Sequence, residues 1–423
     1  MKRNFHAMEN PTGFFPYRGK KFSTPWKTSP RRVQDPRHLA WRVNQVCPDR
    51  PNGHNLIHPR HKAVGVFPRL RRGKPWKLKI EYWILNILFL ALSACSPPPR
   101  DALLTGQTMG TSYSIRLAAS PLGRGDLRRL QADIDAALAE VNRQMSTYLS
   151  DSEISRFNRA EADEPVAISP DFQHVVRRAL EIAAATGGAF DPTVGALVNL
   201  WGFGPDGRPC AAPAAEPIAA ARAITGWRHL LLTPDGQLAK DIPDLRLDLG
   251  AIAKGFGVDR VAELLRARGR EHFLVEIGGE TLGVGRNGQG ESWRVGVLKP
   301  DESADLQGIA RLTGGRAIAT SGDYRNFYRD ETGELRAHIV DPRTAAPVGH
   351  AVASVSVLAG DCLTADALAT ALFVLGPDEG LPLLAERFPD VEALFLVRTG
   401  DGFREIASPG FAAALRYEPA PAL

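Results

Sequence analysis

The pattern of apolar and polar positions divides the chain into a head without periodicity and a body that switches between two periods. Residues 1–75 mix Pro, Arg, His, Gly and Trp at neither helical nor strand spacing. Such a segment buries too little apolar surface to offset its ordering entropy, which predicts disorder. Residues 103–118 read as a strand broken at Thr108-Met109-Gly110-Thr111, with Tyr113, Ile115 and Leu117 alternating against polar neighbours. Leu127, Leu130, Ile134, Ala137, Leu138 and Val141 recur at helical spacing, which predicts a helix over 126–145 with Asp126 as its N-cap. Further helices are predicted over about 170–186, stopping at Gly187-Gly188, from Lys254 to near Gly269, and onward from near Thr364. Short strands are predicted at 244–249, 272–277, 293–298, 316–320, 336–340 and 353–358. The insert at 205–217, rich in Pro, Ala and Gly, predicts a surface loop separating two lobes of a single unit. Strands and helices do not alternate strictly, so the fold class is α+β, a mixture of sheets and helices, and no fixed-period repeat is present.

Charge changes the picture of the head more than of the body. The chain of 423 residues carries a net charge of +5. Residues 1–80 hold 19 Lys and Arg against 3 Asp and Glu, and the remainder holds 33 basic against 44 acidic side chains. The basicity is thus local, the body is acidic, and nucleic acid is not the expected partner. A second signal follows the head. Arg69, Arg71, Arg72, Lys74, Lys77 and Lys79 precede the apolar run Trp83–Leu92, which ends in Leu92-Ser93-Ala94-Cys95 and three prolines. The run is shorter than the roughly 20 residues of a comfortable membrane span. It matches the apolar core of an export signal with small residues at the cleavage point. The residues around Cys95 resemble a bacterial lipobox, which implies a lipidated Cys95, a signal sequence over 76–95, a tether over 96–102 and a catalytic body from 103. Residues 1–75 are then expected to be a basic extension upstream of the working protein or the product of a misplaced start, with a DNA- or membrane-binding arm as the alternative. Cys47, Cys210 and Cys362 show no metal-ligand spacing.

Three stretches could carry chemistry. In Gly188-Ala189-Phe190-Asp191-Pro192-Thr193-Val194-Gly195, glycines close a helix and leave backbone amides open to a ligand. Taken alone, the stretch reads as a loop with Asp191 as its capping aspartate. In Asp248-Leu249-Gly250-Ala251-Ile252-Ala253-Lys254-Gly255, a turn delivers a cation to a helix start, where an anion could sit. A salt-bridged lysine is the simpler alternative. It is not the phosphate loop G-x-x-x-x-G-K-[ST]. In Leu363-Thr364-Ala365-Asp366-Ala367-Leu368-Ala369-Thr370, Asp366 and Thr370 lie four apart on one helix face. Their hard oxygens suit Mg²⁺ better than zinc. By itself the stretch reads Asp366 as a plain residue of the helix start. Gly278-Gly279-Glu280-Thr281 reads as a β-turn, and His338 is the one histidine among the candidate stretches.

In series, these stretches resemble the ApbE family of FAD:protein FMN transferases over nearly all of residues 105–415. Thr108–Thr111, Met145-Ser146-Thr147-Tyr148, Ser152–Asn158, Gly188–Gly195 with Leu200–Gly204, Asp248–Gly255, Thr320-Ser321-Gly322-Asp323-Tyr324-Arg325-Asn326, His338–Pro342 and Asp366–Thr370 follow in order. The resemblance implies a two-lobed, T-fold-like catalytic unit that moves FMN from FAD to a threonine of a partner protein and releases AMP. It implies FAD contacts at Met109, Tyr148, Ala189, Phe190, Asp191, Asp248, Lys254 and Ile339. Mg²⁺ would be held by Asp366, Thr370 and the carbonyl of Ala251, and His338 or a nearby carboxylate would take the hydroxyl proton. The expected acceptor is a subunit of a membrane redox complex, and the expected location is the cell envelope, anchored by lipid and facing the periplasm. Two other activities use the same residues: a Mg²⁺-dependent FAD pyrophosphatase giving FMN and AMP, and a flavin-binding lipoprotein without chemistry.

Overall fold

The computed structural model describes residues 100–204, 212–301, 303, 305–323, 327–329, 335–411 and 418–419. The basic head, the export signal expected through Cys95, the first residues of the expected tether, residues 205–211 of the insert and Tyr324-Arg325-Asn326 lie outside the described residues.

Eight strands form one sheet: β1 (Arg100–Thr108), β2 (Thr111–Ser120), β3 (Phe273–Ile277), β4 (Glu280–Val284), β5 (Ala317–Gly322), β6 (Val352–Ala359), β7 (Glu392–Thr399) and β8 (Gly402–Ala407). Neighbours in space are neighbours in this order, and every pairing is antiparallel. The helices are inserted between strands. Between β2 and β3 come α1 (Arg124–Met145), α2 (Glu153–Arg159), α3 (Pro170–Ala185), α4 (Gly195–Leu200), α5 (Ala215–Ala223) and α6 (Ala253–Ala267). Between β6 and β7 comes α7 (Cys362–Arg387). The mixed α+β class read from the sequence holds.

Both faces of the sheet are covered, and the sequence shows why. Val355, Val357, Ala317, Ala319 and Phe395 join the large core that includes residues of α1, α3, α6 and α7. Their alternates Leu358, Ile318, Leu394 and Leu396 face a second core with Trp293, Val295, Val297 and Leu312, supplied by a hairpin of Trp293–Leu298 on Leu306–Leu312. All eight positions of β6 are therefore buried, and the strand reads as an unbroken small and apolar run instead of an alternation. A third, small core joins Leu197, Trp201 and Ala221 to Val340 and Ala345. There the Trp201 indole N–H donates to the Ala345 carbonyl at 3.0 Å.

Four local expectations are corrected. Residues 244–249 are not a strand: Leu245, Leu247 and Leu249 are buried, but the backbone makes only an isolated bridge from Arg246 to Val194. Helix α1 begins at Arg124 with Gly123 as N-cap, leaving Asp126 in the first turn, where its charge still favours the helix N-terminus. The strand at the start of the body begins at Arg100, so the last residues assigned to the tether are sheet. The insert ends in helix α5 from Ala215, three residues before the loop was expected to finish.

Candidate active site

The floor of the site is a joint between two helices that cap one another. Helix α6 has no side-chain cap of its own at Ile252. Instead Asp366, in the second turn of α7, accepts the Gly255 amide at 3.0 Å through Oδ2. In return Asp259 of α6 accepts the amides of Cys362 and Leu363, at 2.9 and 2.8 Å, at the start of α7. Each carboxylate satisfies donors that a helix N-terminus leaves unpaired. Gly255 permits this contact: a Cβ there would lie 2.3 Å from the Cys362 carbonyl oxygen. Lys254, beside it, reaches Asp366 Oδ1 at 3.3 Å and Glu280 Oε1 at 3.0 Å. Burial alone would lower the Lys254 pKa, but Asp366 and Glu280 together outweigh it and hold the ammonium well above the ordinary lysine range. Burial pushes Glu280 up to about 7, against the pull of Lys254.

The walls are loops tied down by side chains. Asp191 Oδ1 accepts the Thr193 amide and hydroxyl at 2.8 and 2.6 Å, and Oδ2 accepts the Trp227 amide at 3.0 Å. Asp191 is thus a loop organiser as well as a cleft residue, and burial raises its pKa against those three bonds. The Asn158 amide grips Leu247 at both ends, donating to its carbonyl at 2.9 Å and accepting its N–H at 2.8 Å. That grip fixes the neighbouring Asp248, whose Oδ1 accepts the Gly250 amide at 2.7 Å. Burial raises the Asp248 pKa and the Gly250 amide offsets part of the rise. At the β1–β2 turn Met109 holds a left-handed φ of 49°, a conformation that costs a non-glycine residue about 1 kcal/mol or more. Its terminus occupies a notch in α6, where a Cβ on Gly257 would come within 2.7 Å of the Met109 methyl.

These elements enclose a cleft of about 790 Å³, a volume suited to a large cofactor. Every residue singled out from the sequence lines it: Met109, Tyr148, Ala189, Phe190, Asp191, Asp248, Ala251, Lys254, His338, Ile339, Asp366 and Thr370. Tyr148 stands at the rim, 71% exposed. His338 packs edge-on to Phe203 at 6.4 Å between ring centroids, on the side of the small third core. Asn142, Ser321 and Glu280 line the cleft too and were not singled out as site residues. Ser321 had a signal in its motif, and its hydroxyl lies 3.1 Å from that of Thr370.

The ApbE family matches residues 109–395 of the chain. The chain belongs to the ApbE family. An FAD:protein FMN transferase from Vibrio cholerae is 45% identical over 332 residues, spanning 78% of this chain and 97% of that protein. The Escherichia coli K12 protein of the same name is 37% identical, spanning 81% and 99%. Among solved structures, the flavin transferase ApbE from Vibrio cholerae superposes with a TM-score of 0.67 at 45% identity, covering 75% of this chain and 99% of that one. The apo form of the Pseudomonas stutzeri flavinyl transferase ApbE gives 0.66 at 38% identity, covering 74% and 96%.

Within this ApbE family member the donor chemistry fits a hard divalent cation. Asp366 offers a carboxylate, Thr370 a hydroxyl already steadied by Ser321, and Ala251 a main-chain carbonyl beside the start of α6. All are oxygens, as Mg²⁺ requires, and Mg²⁺ completes its shell with waters and phosphate oxygens. Among the described residues no cluster of three or more His, Cys, Asp or Glu side chains is placed to hold a metal. A zinc-type centre therefore has no ligand set there.

Proposed function

We propose that this chain is an FAD:protein FMN transferase, moving FMN from FAD to a threonine hydroxyl of a partner protein with Mg²⁺ as the metal. One observation carries the reading: all twelve residues marked by the family resemblance converge on one cleft whose floor is a cation between two carboxylates. The curated relatives, matched over nearly their whole length, bear the same activity in their names.

The residues divide the work by charge. Lys254 presents an ammonium to the anionic pyrophosphate of FAD. Tyr148 offers an aromatic face at the rim for a ring of the cofactor, and Met109, Ala189 and Phe190 add apolar contact. Asp191 and Asp248 supply acceptors for hydroxyl or N–H groups of FAD, and Ile339 adds main-chain contact. Mg²⁺ on Asp366, Thr370 and the Ala251 carbonyl would neutralise pyrophosphate charge and ease departure of AMP. The threonine oxygen forms a bond to the phosphorus on the FMN side as the bond from that phosphorus to the bridging oxygen breaks. FMN is left as a phosphoester on threonine, and AMP departs with the bridging oxygen. His338 accepts the hydroxyl proton.

The same reading extends to the cell. The lipobox-like stretch ending at Cys95 supports a lipid anchor at the envelope with the body facing the periplasm, beside a membrane redox complex whose subunit is the acceptor.

The test is incubation with FAD, Mg²⁺ and a threonine-bearing acceptor peptide, followed by mass spectrometry. The expected result is a mass gain equal to an FMN phosphoester, abolished by EDTA and lowered at least a hundredfold in Asp366→Ala with the fold retained. AMP release without an adduct would replace the reading with an FAD pyrophosphatase. Neither product would leave a flavin-binding protein. Full activity in Asp366→Ala would remove the metal assignment.

A further inference from the structure

The floor holds one charged group, in the Gly278-Gly279-Glu280-Thr281 turn, to which no role in the site has been given. Glu280 opens β4 directly after the Gly278-Gly279 turn and is 4% exposed. Its Oε1 meets Lys254 Nζ at 3.0 Å, while its Oε2 is buried without a hydrogen-bond partner among the described residues. Lys254 meets Asp366 Oδ1 at the same time, at 3.3 Å. One ammonium therefore stands between two buried carboxylates, and the trio carries one surplus negative charge when both are ionised. A buried surplus charge is costly unless a further cation or donor joins it.

Resting on the reading of Asp366, Thr370 and Ala251 as the metal site, we infer that Glu280 sets that site's affinity for its divalent cation by holding Lys254. A cation arriving at Asp366 displaces the ammonium from that carboxylate. With Glu280 present, Lys254 keeps an anionic partner on its other side, and the charge of Glu280 offsets repulsion between ammonium and metal. Without it, Lys254 has only Asp366 to pair with and competes for the same oxygen. Glu280 is a positioning residue that acts through Lys254. Its free Oε2 also offers an acceptor to a water of the metal's shell, the kind of outer contact whose loss weakens metal binding by roughly 10–100-fold.

Mn²⁺ serves as probe, titrated calorimetrically and by electron paramagnetic resonance into the full chain without FAD at mildly alkaline pH. Glu280→Gln is expected to weaken Mn²⁺ binding by about tenfold or more, with an unchanged or higher thermal midpoint in EDTA. Glu280→Asp is expected to recover part of the affinity. The double variant Lys254→Met/Glu280→Gln, which removes competitor and holder together, is expected to bind more tightly than Glu280→Gln alone. A merely structural glutamate would not produce that reversal, and its absence overturns the inference even if the single variant folds poorly. Wild-type Mn²⁺ affinity in Glu280→Gln, with binding abolished in Asp366→Ala, overturns the inference and leaves the metal site standing. Wild-type affinity in Asp366→Ala removes the metal site itself, and the inference with it.

Discussion

The floor and the rim of the cleft are built on opposite principles. At the floor, Asp366 and Asp259 cap each other's helices across a contact so close that no Cβ fits at Gly255. Asp366 there holds a helix end and lines the cleft at the same time. At the rim, Tyr148 is 71% exposed and its neighbour Leu149 is also exposed. The floor thus couples stability to chemistry, whereas the rim can change its contacts at little cost to the fold.

This contrast can be broken at three points. The largest effect is expected from Gly255→Ala, whose Cβ meets backbone atoms that cannot rotate away. It should destabilise the chain by about 3 kcal/mol, seen as a lower urea midpoint, and abolish flavin transfer at the same time. A variant with wild-type stability would show that the joint has slack. Tyr148→Ala is expected to raise the KM for FAD by up to about tenfold, matching an aromatic contact worth roughly 0.5–1.5 kcal/mol, with no change in unfolding midpoint. Tyr148→Phe should stay within about twofold. A fall in stability for Tyr148→Ala would contradict the independence of the rim. The third point concerns pH. Burial pushes Asp259 up to about 7 against the amides of Cys362 and Leu363, from an ordinary value of 3.8. Between these values the folded chain binds a proton that the unfolded chain has released, so stability declines as pH rises through that window. Asp259→Asn should flatten the decline, measured as urea midpoints from mildly acidic to neutral pH. An identical slope in the variant would show that the group titrates elsewhere.

The same division governed what could be read in advance. Asp366 and Thr370 share a helix face by spacing alone, and the Asp248–Gly255 run announces a turn into a helix, so both were legible. Lys254 satisfied both of its alternatives, since it is salt-bridged and lines the cleft. Glu280 was missed for a physical reason: Gly278-Gly279 does form the turn that its glycines suggest, with φ of 63° and 113°. Nothing local says that the following carboxylate is buried against a lysine from another element. Residues 244–249 misled in the opposite sense. Their leucines alternate as a strand's would and are buried as a strand's would be. The backbone partners come instead from the Asn158 side chain and the Pro192 carbonyl, which no local pattern encodes.

The order of the sheet also has a consequence for how the chain reaches its native state. Strands β1 and β2 form a local hairpin, but the next partner of β2 is β3, beyond residues 121–272. Closing a segment of that length costs about 4 kcal/mol of chain entropy, and such distant pairings form slowly. The pairing of Tyr113 with Ile277 should therefore be a late event, completed only after the intervening helices have collapsed. Until then the β1–β2 hairpin exposes an unpaired strand edge, the species most open to aggregation and to capture by chaperones during refolding.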